Sequence, residues 1–227
     1  MNTVNNNTRP VWLLLILLLP APLFAAAYDG QEVNFSLLVE SRNTELRYTH
    51  NSRRTKINRI SAVWNQDLSS RLSGGIRLAY LDLSQPSNPI PAGMTTTGYG
   101  IGFSLLGRLI KRKMLHMNLW FAYDYQATRG SSDEQTTEIL WHEMGGGADL
   151  IIFPHATVSL LAGAAVTRID GDERNSGTIN RVSTFNEDQP VDYYAGLNIR
   201  TDPGGHIGLK WYSGLHQGFT IHFNRQF

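Results

Sequence analysis

The C-terminal segment, residues 219–227, constrains the fold most strongly, because large and mostly apolar side chains alternate in it with polar ones. A period of two places one of these sets on each face of a β-strand. A soluble β-sandwich also contains strands with one apolar and one polar face. The same alternation recurs in most other strand-like segments, and this favours a closed barrel with lipid outside and polar side chains inside.

Ten segments have strand-like composition and are separated by turn signals. They are residues 33–43, 56–65, 71–83, 97–109, 115–128, 137–153, 157–169, 191–201, 206–212 and 218–227. Short turns at 66–70, 111–113, 154–155 and 202–205 alternate with longer polar loops at 43–55, 84–96, 129–136 and 170–190, and only 213–217 is short on the long-loop side. This is typical of bacterial barrels. We therefore expect an all-β, closed antiparallel up-and-down transmembrane barrel of ten strands, with eight as the alternative.

The strand at 137–153 fits the alternation least well, because it contains three consecutive glycines, Gly145, Gly146 and Gly147. Glycine inside a strand often marks a bulge or a tight bend. The run therefore indicates a bulge or a tight bend, which would shift the facing assignments before and after it out of register.

The first 27 residues have the features of a cleaved secretory signal peptide. A polar segment with Arg9 leads into an apolar run over residues 11–19, and Ala25, Ala26 and Ala27 follow. This order is typical of Sec-exported precursors. We expect cleavage after Ala27, so that residues 28–227 form the barrel domain.

Composition excludes several other classes. The chain has no cysteine, so it can form neither a disulfide framework nor a lipidated N-terminus. Its 20 basic and 19 acidic residues give a net charge of +1, which argues against a nucleic-acid partner. No motif predicts a cofactor, and the histidines lack metal-ligand spacing.

The signal ending in three alanines, the alternating last strand and the terminal phenylalanine together resemble the bacterial outer-membrane β-barrel superfamily. The resemblance implies an outer-membrane location, contact with outer-membrane lipids, and recognition of the last strand by the barrel-assembly machinery. The matching residues are Phe219, Ile221, Phe223 and Phe227, and Arg225 departs from the pattern. Ten strands would also suit a surface protease of the omptin type, but no motif of that family is present.

The predicted interior carries near-balanced charges. The acids are Glu40, Asp124, Glu143, Asp149 and Asp192, and the bases are Arg59, Arg77, Arg200 and Lys210. Balanced charges in a narrow interior indicate a salt-bridged lumen, whereas an ion-selective pore favours one sign. Barrels of about eight strands are filled by side chains, and roughly sixteen to eighteen strands leave a channel. Ten strands therefore predict a largely filled lumen.

A catalytic site is the weaker interpretation of the same residues. Antiparallel pairing could bring His116 opposite Asp149, and Asp124 near His142 or Glu143, and a carboxylate beside a histidine is the core of many acid/base sites. Three functions follow. They are a non-enzymatic outer-membrane protein with a structural or adhesive role or a narrow, porin-like passage for small solutes, an outer-membrane hydrolase of lipid or peptide, and a soluble periplasmic β-sandwich. Oligomeric state is not predicted.

Overall fold

Eleven antiparallel strands make up the described part of the chain, and ten of them form a closed ring. The computed structural model describes residues 32–86, 88, 95–132, 134–187, 191–214 and 216–227. The predicted signal peptide and its cleavage site lie outside these residues. None of the described residues belongs to a helix that is long and apolar enough to span a membrane.

The strands follow each other in chain order around the ring, apart from β8. Their bounds are β1 (Val33–Tyr48), β2 (Ser52–Asp67), β3 (Leu72–Ser84), β4 (Thr95–Arg112), β5 (Leu115–Ser131), β6 (Gln135–His155), β7 (Val158–Gly177), β8 (Arg181–Glu187), β9 (Val191–Asp202), β10 (Gly205–Gly214) and β11 (Gln217–Gln226). β11 closes the ring by pairing with β1, from Asn34 opposite Gln226 to Asn43 opposite Gln217. The predicted ten-stranded barrel is confirmed.

The end of the barrel that carries Val33 and Phe227 is called the terminal end, and the opposite end the distal end. At the terminal end, strands are joined by tight turns, as between Arg112 and Leu115 or between Asp202 and Gly205. At the distal end two loops predicted to be long, 43–55 and 129–136, are mostly strand, because β1 continues to Tyr48 and β5 to Ser131. Those two loop predictions are wrong.

The fourth predicted loop, 170–190, contains the last part of β7 and the whole of β8, so this loop prediction is also wrong. The predicted loop 84–96 falls mostly outside the described residues. β8 pairs with β7 from Asp170 opposite Asn186 to Asn175 opposite Arg181, and with β1 at Leu46, Arg47 and Tyr48. β9, β10 and β11 are shorter and do not reach this level. The barrel therefore continues beyond the ten-stranded ring as a ring of eight, formed by β1 to β7 and β8.

A belt of exposed apolar side chains surrounds the terminal half of the barrel. On β3 it runs from Leu72 to Tyr80, and on β4 it includes Tyr99 and Phe103. Eight steps of about 3.3 Å on a tilted strand correspond to roughly 20 Å of height, close to the apolar band of transmembrane barrels. Beyond the belt most outward side chains are polar, as with Glu45 and Arg47 on β1.

The inward face changes character at the same level. Around the belt the interior is polar, as predicted, but in the distal half it is lined by buried apolar side chains. The expectation of a polar interior along the whole barrel is therefore wrong. Distal to the belt, the strands carry polar side chains outside and bury apolar side chains inside, as the strands of a soluble protein do.

Candidate functional site: the barrel lumen

The terminal half of the lumen holds a cavity of about 490 Å³, here called the vestibule. Polar side chains near the terminal end surround its mouth, among them Asn34, Asn65 and Asn224. Its inner wall carries an apolar patch, in which Leu161, Ala165 and the ring of Tyr194 are buried. The vestibule thus reaches from the terminal end to the middle of the barrel.

Four alternating charges end the vestibule, and we call them the charge square. They are Glu40 and Arg42 of β1, Arg59 of β2 and Glu143 of β6. Arg42 contacts both oxygens of Glu143, with Nη1–Oε1 and Nη2–Oε2 distances of 2.7 and 2.5 Å, and its Nε lies 3.0 Å from Glu40. Arg59 contacts Glu40 at 2.8 Å and lies 3.6 Å from Glu143. All four side chains are at most 10% exposed, so water reaches the square poorly.

The square is anchored on both sides of the lumen. Arg42 starts from β1 and meets Glu143 on β6, while Gln126 of β5 donates to Glu143 Oε2 at 2.9 Å. Strands β1 and β6 are not neighbours in the ring, so these contacts cross the lumen. Because the two arginines and two glutamates cancel, the square offers no net charge to attract an ion of either sign.

Distal to the square lies a cluster of buried apolar side chains, here called the apolar plug. Its members are Leu46, Tyr48, Ile57, Leu81, Leu83, Ile139, Trp141, Ile169 and Phe185. Each is at most 5% exposed, and Trp141 is the largest of the side chains that are almost fully buried. Protein interiors of this kind are packed as densely as organic crystals.

Gly171 of β7 makes room for the plug. A Cβ at this position would lie 2.5 Å from the Phe185 ring and 2.6 Å from Trp141 Cβ. Both distances are shorter than those at which Cβ atoms are found in proteins. Phe185 comes from β8, so β8 both closes the distal ring and supplies a plug residue.

A buried polar cluster around Glu173 covers the plug, beyond the apolar belt. Arg53 Nη1 lies 2.8 Å from Glu173 Oε2, and Tyr48 donates to the same oxygen at 2.8 Å. Burial alone would raise the pKa of Glu173, but hydrogen bonds from Asn175, Tyr48 and Asn88 and the charge of Arg53 outweigh it and hold the pKa below its ordinary value. The carboxylate is therefore charged and fully paired.

The other charges predicted to face inward lie around the vestibule or at its rim. Arg77 contacts Asp124 at 2.8 Å, and Asp192 contacts His216 Nδ1 at 2.5 Å. Asp149 accepts a hydrogen bond from the hydroxyl of Tyr194. Lys210 Nζ lies 4.5 Å from the centroid of the Tyr194 ring, and Arg200 is exposed near the terminal end.

Sequence reasoning missed Arg42, although it lies two residues after Glu40 and therefore on the same inward face of β1. It also missed Tyr48, Arg53 and Glu173, because they fall in segments expected to be loops. The signal for Arg42 was present in the alternation, whereas nothing local in 43–55 distinguishes a strand with a polar outer face from a solvated loop.

The catalytic candidates are not brought together as expected. Asp149 lies opposite Asn118, and His116 lies opposite Ile151 and packs against the Phe153 ring at 4.6 Å between centroids. His142 faces outward, where its Nδ1 is 2.5 Å from the Tyr123 hydroxyl, while Asp124 faces inward. The expected His116–Asp149 and Asp124–His142 pairs are wrong. Asp124 does lie opposite Glu143, but arginine partners occupy both carboxylates.

The glycine run of β6 has a different role from the one predicted. Pairing of β6 with β5 and β7 continues without a register shift through Gly145, Gly146 and Gly147, so the predicted bulge is wrong. A Cβ at Gly147 would lie 3.0 Å from the Trp120 indole. The glycines give that ring space against the wall of the vestibule.

The last strand presents the predicted assembly residues on its outer side. Phe223 and Phe227 are exposed, and the Phe227 amide donates to the Val33 carbonyl at 2.9 Å. Arg225, the departure from the pattern, contacts Asp202 Oδ2 at 2.6 Å across the neighbouring turn. An ion pair outside the belt therefore explains the arginine in an otherwise apolar series.

Comparison with known proteins gives the fold. No family model matches the sequence, and no curated protein is similar to it. Among solved structures, the barrel is similar to the translocator domain of the autotransporter NalP from Neisseria meningitidis, with 8% identity over 89% of this chain and 90% of that one and a TM-score of 0.52. It is also similar to the outer membrane protease OmpT from Escherichia coli, with 13% identity over 87% and 94% of the two chains and a TM-score of 0.48. The chain has the fold of the bacterial outer-membrane β-barrel proteins.

Proposed function

We propose that the chain is a non-enzymatic protein of the bacterial outer membrane, exported through the Sec pathway, whose barrel is closed to solutes and carries a rigid extension at the cell surface. In this assignment the terminal end faces the periplasm and the distal end faces outward. The proposal rests mainly on the apolar plug, since a packed apolar cluster between a charge square and a buried carboxylate cluster leaves no aqueous path.

The location is supported by the apolar belt and its aromatic ends. Tyr80, Tyr99, Tyr193 and Trp211 lie outward at the distal edge of the belt, where aromatic side chains anchor a barrel in the lipid headgroups. Outer-membrane lipids are therefore the partners of the belt.

A structural or adhesive role is favoured over passage of small solutes. Beyond the belt the strands continue with a polar outer face, and β8 ties β7 to β1. Such an extension resists deformation, because each of its strands is hydrogen-bonded to a neighbour on either side and packs apolar side chains into the plug. A rigid polar surface suits contact with a macromolecule outside the cell.

The absence of catalysis is supported by the separation of His116 from Asp149 and by the pairing of Glu40, Asp124 and Glu143 with arginines. Catalytic carboxylates paired with arginine are poor proton acceptors. The test is incubation of the folded barrel with lipid and peptide substrates. We expect no hydrolysis, and an activity that His116→Ala abolishes in a correctly folded barrel would favour the hydrolase.

Solute passage is tested by swelling of liposomes that contain the purified barrel. Vesicles loaded with an impermeant polymer should not swell in an isotonic solution of a small sugar such as arabinose, whereas vesicles with a general porin swell. Swelling at a rate that rises with the amount of barrel would contradict the closed lumen.

A further inference from the structure

We propose that the vestibule is a binding site for a small monocarboxylate with an apolar or aromatic body, held by Lys210 and Thr220. The proposal concerns the terminal half of the lumen and is independent of whether the distal half conducts.

Lys210 differs from the other charges that line the vestibule. Among the described residues, Glu40, Arg42, Arg59, Glu143, Arg77, Asp124 and Arg108 all have charged partners, Asp192 contacts the His216 ring, and Asp149 accepts a hydrogen bond from Tyr194. With those same described residues, the Lys210 ammonium forms no hydrogen bond and no ion pair. It lies over the rings of Tyr194 and Tyr212, at 4.5 and 5.9 Å from their centroids.

The hydroxyl of Thr220, next to Lys210, is a second polar group without a hydrogen-bond partner in the described structure. It lies opposite Lys210 in the pairing of β10 with β11, and it is 3% exposed. Its Oγ1 is buried and makes no hydrogen bond within the described structure. A buried hydroxyl without a partner costs free energy, and a ligand that accepts its hydrogen bond would recover that cost.

The position of the ammonium is fixed by its surroundings. The Tyr194 hydroxyl accepts a hydrogen bond from Trp120 Nε1 at 3.0 Å and donates to Asp149. These two hydrogen bonds to the hydroxyl fix the position of the Tyr194 ring. The Lys210 ammonium is attracted to the face of that ring. The ammonium donors that do not face the ring remain free to bind an anion.

The wall next to Lys210 determines the rest of the ligand. Leu161, Ala165 and Tyr194 form a buried apolar patch, and Trp120, Ile151 and Tyr212 pack against it. A cavity of about 490 Å³ lies within the usual range for small-molecule sites. An apolar body against this patch, with one acidic group on Lys210 and Thr220, would fill both parts of the site.

The acids nearby restrict the charge of the ligand. Glu40 lies opposite Thr220 in the pairing of β1 with β11, and Asp149 is bonded to Tyr194. These carboxylates already have partners, and among the described lysines and arginines that line the vestibule Lys210 alone has no acidic partner. It can balance one negative charge on the ligand, and a second would stay uncompensated. A monocarboxylate therefore fits better than a phosphate or a dicarboxylate.

The test compares 3-phenylpropanoate with its neutral amide by calorimetric titration of the folded, detergent-solubilised full barrel. The two probes share their apolar body, so binding to micelles and to the apolar patch is common to both. We expect the acid to bind at least about tenfold more tightly than the amide. Equal affinity for acid and amide would overturn the proposal.

Three variants locate the interaction. Lys210→Met should abolish the preference for the acid, Lys210→Arg should keep most of it, and Thr220→Val should reduce it.

The matched control is Arg200→Met, which removes an exposed cation near the terminal end and should leave the preference within about twofold. An unchanged preference in Lys210→Met, or an equal loss in Arg200→Met, would contradict the assignment. Heat-modifiable gel mobility verifies that each variant is folded, and Lys210→Arg and Thr220→Val keep the test decisive if Lys210→Met does not fold.

Discussion

Arg42 on β1 reaches across the lumen to Glu143 on β6, with two contacts of 2.7 and 2.5 Å. This pair joins opposite walls of the barrel at the level where the polar vestibule gives way to the apolar plug. Bidentate arginine–carboxylate contacts are among the strongest that side chains form. The pair therefore marks the inner limit of the vestibule.

Breaking this pair from one side should be costly. Arg42→Met leaves Glu143 without its bidentate partner in a buried place, and we expect a loss of about 3–5 kcal/mol in the free energy of unfolding. Urea titration of the barrel in lipid vesicles measures it.

The matched control is the exposed pair Arg129–Glu138, 3.5 Å apart at the distal end, with side chains 67% and 43% exposed. Arg129→Met should cost less than about 1 kcal/mol, because water screens such a pair. Equal effects of the two substitutions would show that the charge square does not contribute as a buried unit.

Packing of the plug is tested at Gly171. Gly171→Ala places a methyl group 2.5 Å from the Phe185 ring, so it should destabilise the barrel by about 1–3 kcal/mol and loosen β8. Thermal unfolding and hydrogen exchange of β8 amides are the measurements.

The control for Gly171 is Gly107, where a Cβ would meet nothing closer than the Leu119 carbonyl at 3.9 Å. Gly107→Ala should be tolerated. A Gly171→Ala barrel as stable as the Gly107→Ala barrel would mean that β8 does not pack against the plug as described.

The orientation of the barrel can be read by labelling, since the chain has no cysteine of its own. We expect Ser52→Cys, at the distal end, to react in intact cells with a maleimide too large to cross the outer membrane. Lys113→Cys, in a turn at the terminal end, should react only after the membrane is permeabilised. The opposite pattern would reverse the barrel, and reaction of neither cysteine in intact cells would argue against a surface-exposed distal end.

Much of the fold follows from the sequence because strands in the belt contact two very different media. Tyr99, Ile101 and Phe103 alternate with Gly100 and Gly102, and the recurrence of such alternation in most segments favours strands between lipid and a polar interior. All ten strands of the ring were predicted for this reason.

The distal ends of β1 and β2 and the hairpin of β7 and β8 were predicted as loops because their pattern is inverted. Leu46 and Tyr48 face inward while Glu45 and Arg47 face outward, so the local composition is as polar as that of a loop. Which face is apolar depends on where the membrane ends, and that boundary is not marked in the sequence. The charge square was only partly predicted, since its cross-lumen contacts join residues that are 101 positions apart.

The terminal aromatic provides a test of biogenesis. If the barrel-assembly machinery recognises the last strand, Phe227→Ala should lower the amount of heat-modifiable barrel in the membrane several-fold, because the outward aromatic series ends at this residue. Gln226→Ala, which changes an inward neighbour, is the control and should assemble normally. Equal assembly of both variants would remove Phe227 from the signal.

The closed lumen is tested most directly by single-channel recording of the refolded barrel in planar bilayers. We expect the natural chain to give no steady open current, and a Trp141→Ala, Phe185→Ala double variant, which removes two large plug side chains, to give measurable openings. A steady open current from the natural chain would contradict the account.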